Sequence, residues 1–470
     1  MSAISAIAEW ASGVSKDHEG GAYDRARDGC IDTVACLVAG AHDPASVAAR
    51  DAIVGWGTGA ATVVGDSERR PAPWAALANG TAVDALDFDD YDVPAASHPS
   101  AVILPALLAL GEERGASGRS LLDAYIVGVE VQLRLGEALN MSHFHKGFHS
   151  TATIGTLAAS VACARLLDFD AATTGHALSI ATSLAAGSKS QLGTTTIHLH
   201  TGLAAHNGVL AAALAGVGAT GSVDALDGGW GTLRLLADGD APGFDIPLSK
   251  IGDPLAIVEF GLCVKPYPCC SYTTSAIDGV LSLRAEHGLT SNEVAEVIAR
   301  IPSRNIELLK FPKPENELEA RFSMEFCLAV ALHRGAVLVA DFTPTAIAEE
   351  EVRALLPRIR MEALSETAEH ENVTILLRDG RTLERTVEHP RGSAALPFSE
   401  DELLSKFDSC MDGVLGVDDA TALKQALIDI ESLDDIRDLT RYLSPPTTGN
   451  PWAPRADAGL QSPDDTLDGR

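Results

Sequence analysis

Between Asp87 and Ser100 the chain reads Asp87-Phe88-Asp89-Asp90-Tyr91-Asp92-Val93-Pro94-Ala95-Ala96-Ser97-His98-Pro99-Ser100, which sets four carboxylates and one imidazole in a single short stretch. These side chains take up and release protons, and imidazole does so close to neutral pH. The apolar run Ala101–Leu110 follows at once, so His98 and Pro99 are predicted to stand at the start of a helix, where unpaired backbone N–H groups favour an anion. Carboxylate substrates fit such a place. Aspartates in loops also solvate turns and cap helices, and spacing alone leaves both readings open.

Further segments follow in order along the chain. Ala78-Asn79-Gly80-Thr81-Ala82 precedes Asp87-Phe88-Asp89-Asp90, and His98-Pro99-Ser100 is followed by Gly147-Phe148-His149. Then come Leu199-His200-Thr201-Gly202 with Ala205-His206-Asn207-Gly208, and Lys265-Pro266-Tyr267-Pro268-Cys269-Cys270. Together these resemble the MmgE/PrpD family, which contains 2-methylcitrate dehydratases, cis-aconitate decarboxylases and iminodisuccinate epimerases. The likeness runs from the first helix to about residue 440. It implies a helical domain and a smaller lid domain that enclose the active site, in a homodimer; no cofactor and no metal are expected.

Chemistry beside a carboxylate needs a base for a carbon-bound proton, an acid for the leaving group or the carbon, and fixed positive charge for the carboxylates. The resemblance implies that Asp87, His98 and His149 are catalytic. One extra residue between Asp87 and His98 leaves open whether Asp87, Asp89 or Asp90 faces the substrate. Lys265, Arg321, His200 and Thr274 are the expected substrate-binding residues, with Lys189 a further candidate cation and His198 a partial substitute for a missing one.

Departures from the family pattern bear on the reaction. Ile197 stands where family members commonly carry a lysine, Thr274 where they often carry a histidine, and Phe326 aligns with a site tyrosine of the decarboxylase. Burying a multiply charged acid without its cations is costly. The expected activity is therefore a 2-methylcitrate dehydratase-like lyase working on a small di- or tricarboxylic acid. An iminodisuccinate-type epimerase is the first alternative, then a cis-aconitate decarboxylase, then a non-catalytic family member. A metal-dependent reaction at His143, His145 and His149 is a weaker reading, because no H-E-x-x-H is present.

The elements that must position these groups are mainly helical. Apolar periodicity predicts helices over Arg27–Val38, Ala101–Glu113, Arg119–Leu139, Thr151–Leu167, Ala171–Leu184 and Gly202–Ala215, with Ser117 or Ser120 as an N-cap. After Pro268 the pattern changes: Glu293–Pro302 alternates, and Asn372–Leu377 and Thr382–Val387 flank a hairpin turn at Arg378-Asp379-Gly380-Arg381. Ser399 begins helical patterning again, to about Leu443. The expected fold is mainly α, a large helical domain (1–268 and 399–443) with an inserted smaller α+β lid domain (269–398), followed by an irregular tail (444–470).

Composition limits the partners. At 470 residues and 46% hydrophobic content the chain can bury a large core. A formal net charge of −30 argues against nucleic acid, and no apolar run reaches the roughly 18 residues of a membrane span. The eight cysteines form no C-x-x-C pair, and Met1–Asp17 lacks a basic signal-like segment, so a cytoplasmic protein with reduced thiols is expected. Gly216-Val217-Gly218-Ala219-Thr220-Gly221 fits G-x-G-x-x-G but follows a helical pattern, and reads as a helix end.

Overall fold

The computed structural model describes residues 2–139, 141–237, 245–365 and 370–444; the predicted tail lies almost wholly outside them. Long helices at Ala22–Ala39, Ala72–Asp84, Pro99–Arg114, Gly118–Leu139, Ser150–Leu166 and Thr196–Gly216 make the larger part of the fold. Local signals set their ends. Ser117 Oγ accepts from the Ser120 N–H at 3.2 Å ahead of the fourth, and the third opens on Pro99 and stops at Gly115 in the left-handed region, φ 65°.

Small residues let these helices meet closely. The Thr196–Gly216 helix packs on Ala72–Asp84 and on Ser150–Leu166. A Cβ on Gly202 would collide with the Leu77 carbonyl and the Thr81 hydroxyl, and one on Gly208 with Ala159. The crossing brings Asp84, at the end of one helix, to His198, near the start of another, with Oδ2 and Nδ1 2.7 Å apart. A packing device thus builds part of the site.

One apolar core joins Ala22 to Ala162 with Leu403, Phe407, Leu427 and Leu443, so the end of the described chain returns to its first helices. Helix Glu400–Met411, capped by Ser399 and Glu402, lies on Ala22–Ala39. A separate core, from Tyr267 to Leu377, gathers around a four-stranded sheet. Its strands are β1 (Val294–Ile301), β2 (Ile359–Ala363), β3 (Glu371–Leu377) and β4 (Thr382–Val387), in the order β2-β1-β3-β4. The β3–β4 hairpin turns at Gly380, φ 89°, as its sequence predicts. The sequence pattern does not predict strand β2, which pairs parallel to β1 at the edge, where no hairpin turn announces it. Gly216 ends its helix, which disposes of the dinucleotide motif, and all eight cysteines are buried and free. Among the described residues no helix is long and apolar enough to cross a membrane.

Candidate active site

The aspartate loop is held from both sides by buried lysines distant in sequence. Asp87 adopts φ 51°, a left-handed conformation that Asp tolerates better than most residues, and its N–H donates to the Asp84 carbonyl at 2.8 Å. Lys265, 1% exposed, donates to the Asp87 carbonyl at 3.0 Å and pairs with the Asp87 carboxylate; Asp89 Oδ1 is 3.9 Å away. Burial alone would lower the Lys265 pKa, but Asp87 and Asp89 raise it. Lys406, from the Glu400–Met411 helix, donates to the Phe88 carbonyl at 2.7 Å, stands 3.9 Å over the Phe88 ring, and pairs with Asp32 at 2.6 Å.

His98 caps the start of the Pro99–Arg114 helix through its position, not its side chain. Its Nδ1 lies 2.8 Å from the Asp90 carbonyl and 3.2 Å from Asp89 Oδ2. A carbonyl only accepts, so Nδ1 carries the hydrogen and Nε2 is left for the cavity. Burial favours the neutral ring, but Asp89 outweighs it and lifts the His98 pKa to about 9. At neutral pH His98 is therefore an imidazolium, an acid. Asp89 stays ionised, because His98 and Lys265 overcome its burial.

The neighbouring carboxyls build the loop. Burial, with Asp32 nearby, pushes Asp90 up to about 7, and its carboxyl accepts from Ser100, which also meets Tyr125. Asp92, raised to about 6 chiefly by burial, accepts from Ser97, which Gln132 Nε2 reaches at 2.8 Å.

His149 precedes the Ser150–Leu166 helix, its N–H donating to the Gly187 carbonyl at 3.1 Å and its Nδ1 lying 3.2 Å from His200 Nδ1. Burial first, then His200, His98 and His198, holds its pKa well below the usual histidine value. His149 is thus neutral where His98 is charged. His198 goes the other way: burial disfavours its charge, but Asp84 raises its pKa.

Asp84, Asp87, His98, His149, His198 and Lys265 line a cavity of about 280 Å³, at the small end of ligand pockets. Arg304, Asn305 and Phe322 from the strand-containing unit close part of its wall. Lys265, His98 and His198 are each matched by a carboxylate, whereas Lys189 and Arg304 have no ion pair among the described residues. Lys189 Nζ rests 3.4 Å from the Phe144 ring centre, and burial lowers its pKa to about 8 against an opposing Glu307. A carboxylate ligand should therefore bind more weakly as pH rises through about 8, where the ammonium is lost. In Lys189→Met that alkaline fall in affinity should disappear along with about tenfold of binding, as measured by calorimetry across pH. An unchanged alkaline fall would assign it to another group.

Family models of the MmgE/PrpD N-terminal domain and the MmgE/PrpD C-terminal domain match residues 5–245 and 267–431. The chain belongs to the MmgE/PrpD family. Its relatives include the cis-aconitate decarboxylases of Mus musculus and Homo sapiens, each 30% identical over 81% of this chain and 80% and 81% of their own lengths. That of Aspergillus terreus is 25% identical over 94% of this chain and 95% of its own. The chain is thus an enzyme of a lyase-containing family.

In this MmgE/PrpD member the structure sorts the expected site residues. Asp87, His98, His149 and Lys265 line the cavity. His200 stands behind His149. Arg321 does not join them: its guanidinium donates to the Ala85 carbonyl at 2.9 Å and lies 3.5 Å from Asp43, tying the second unit to the first. Thr274 is buried at the start of the Thr274–His287 helix, outside the cavity-lining set, and Phe326 packs against Phe342 in the core. Of the three departures, only Ile197 faces the cavity. Asp84 and Arg304 are additions that no local pattern signals. His143, placed in the metal reading, instead meets Thr153 at 3.2 Å. Ligand atoms of Asp84, Asp89 and His98 converge within 4.8 Å. His98 and Lys265 already face Asp89, and His198 pairs with Asp84, so the carboxylates of this set are balanced by protein cations and fit a metal poorly.

Proposed function

We propose that this chain is a cofactor-independent lyase that removes water from, or adds it to, a small carboxylic acid, in the manner of a 2-methylcitrate dehydratase. The observation that carries this reading is the pairing on one cavity of a charged His98 with a neutral His149. Elimination needs both. His149 Nε2 takes the proton from the carbon next to a carboxylate, the C–H electron pair forms the double bond, and His98 Nε2–H protonates the departing hydroxyl, which leaves as water. Lys189 and Arg304 hold carboxylates and suit two better than three. The strand-containing unit, which supplies Arg304 and Phe322, acts as a lid over the bound acid.

A decarboxylase is the second reading, favoured by the names of the relatives and by the apolar wall of Phe144, Leu192, Ile197 and Leu308. A carboxylate against that wall loses its hydration, and His98 can protonate the carbon that CO₂ leaves. Proton NMR in deuterated water against hydroxy, imino and unsaturated di- and tricarboxylates decides. The expected result is a hydroxy acid and its alkene interconverting with deuterium at the carbon beside the carboxylate. CO₂ release from cis-aconitate without such exchange would move the chain to the decarboxylases.

A further inference from the structure

Behind the cavity wall a second imidazole answers a difficulty in that chemistry. His149 must gain a proton, yet it is buried among His98, His198 and His200, with Asp89 the opposing carboxylate. A buried cation there is costly. His149 Nδ1 and His200 Nδ1 are 3.2 Å apart, with ring centres at 5.3 Å and planes tilted by 40°. Two ring nitrogens at that distance share one hydrogen, since neither two lone pairs nor two N–H groups can face each other favourably. His149 Nδ1 is thereby committed, and Nε2 is the nitrogen left for the cavity.

The pair is fixed from outside as well. His149 is tied through its N–H to the Gly187 carbonyl, and Gly187, φ 149°, lies against His200 Nδ1 where a side chain would strike Ala152. His200 is half-buried on the Thr196–Gly216 helix: burial lowers its pKa, Asp84 raises it and His198 lowers it again, a net depression smaller than that of the more deeply buried His149.

We propose that His200 is the positioning residue of His149 and the acceptor of its Nδ1 proton, so that the charge gained at His149 Nε2 moves outward to the second ring. This rests on His149 acting as base. At rest His149 holds its hydrogen on Nδ1 and donates it to His200 Nδ1, while His200 holds its own on Nε2. When the substrate C–H bond breaks, the electron pair stays with carbon and the proton forms an N–H bond at His149 Nε2. The Nδ1 proton crosses to His200 Nδ1, leaving His149 neutral and His200 an imidazolium facing Asp84. Release of the Nε2 proton reverses the shift. No further reactant is needed.

Nitrogen-15 NMR of the ligand-free, histidine-labelled protein tests the pair without reference to activity. A nitrogen–nitrogen coupling between His149 Nδ1 and His200 Nδ1 is expected, and it should vanish in His200→Gln. With a substrate found by the assay above, His200→Gln should lower kcat by about 10–100-fold with KM little changed, the scale of losing an outer partner that orients a functional histidine. In His200→Ala, added imidazole should restore part of the rate, which a structural role would not allow. Absence of the coupling in folded wild type, or a wild-type kcat in His200→Gln, overturns the proposal. If wild type transforms no carboxylate, the lyase reading fails alone and the coupling still decides the pair.

Discussion

His98→Ala should lower kcat by about 10²–10⁴-fold, the usual range for a removed acid or base, while KM changes far less. The wild-type rate should fall as pH rises through about 9, where the imidazolium held by Asp89 loses its proton. The sign follows from the acid role: the active form is the protonated one, so the loss is on the alkaline side. Stability follows the same direction. A histidine whose folded pKa is raised adds stability that is fully present below about 6.5 and is lost as pH climbs through the folded value. His98→Ala should therefore lose the alkaline limb in both rate and melting profiles. A folded variant with undiminished kcat on the identified substrate removes His98 from the chemistry.

The contrast between His98 and Lys265 shows what was legible in the sequence. His98 and His149 lie inside short motifs, and each is positioned by the start of a helix that the apolar pattern already announces. Lys265 lies inside an equally clear motif and lines the cavity, yet its carboxylate partners are not legible there. A lysine in a cleft suggests a substrate cation, and only the three-dimensional arrangement shows that Asp87 already pairs with it and that Asp89 stands 3.9 Å away. Arg321 differs: it lies off the cavity wall, bound to Asp43 and the Ala85 carbonyl. The cations left over are Lys189, which the sequence offered, and Arg304, which no pattern marked because it reaches the cavity from a short helix of the second unit. Alignment placed Thr274 and Phe326 on family motifs but says nothing of which way a helix face turns. Helix periods and the hairpin were readable, since both are local; the parallel edge strand β2 was not.

Replacing Lys265 by Met should cost about 3–5 kcal/mol of folding stability, the largest effect expected of any single substitution here. Methionine fills the same space, so little of the loss is cavity. The cost comes from electrostatics: Asp87 is left buried with its partner gone, Asp89 keeps only His98, and the Asp87 carbonyl loses its 3.0 Å donor. The loop they form would also shift, and His98 depends on it through Asp89 and the Asp90 carbonyl. Urea unfolding should thus show a lower midpoint with an unchanged slope. Adding Asp87→Asn to Lys265→Met removes the orphaned charge and should recover part of the stability, though not the activity, because Asp87 lines the cavity. If the double variant is no more stable than Lys265→Met, the lysine acts by packing and the charge argument fails.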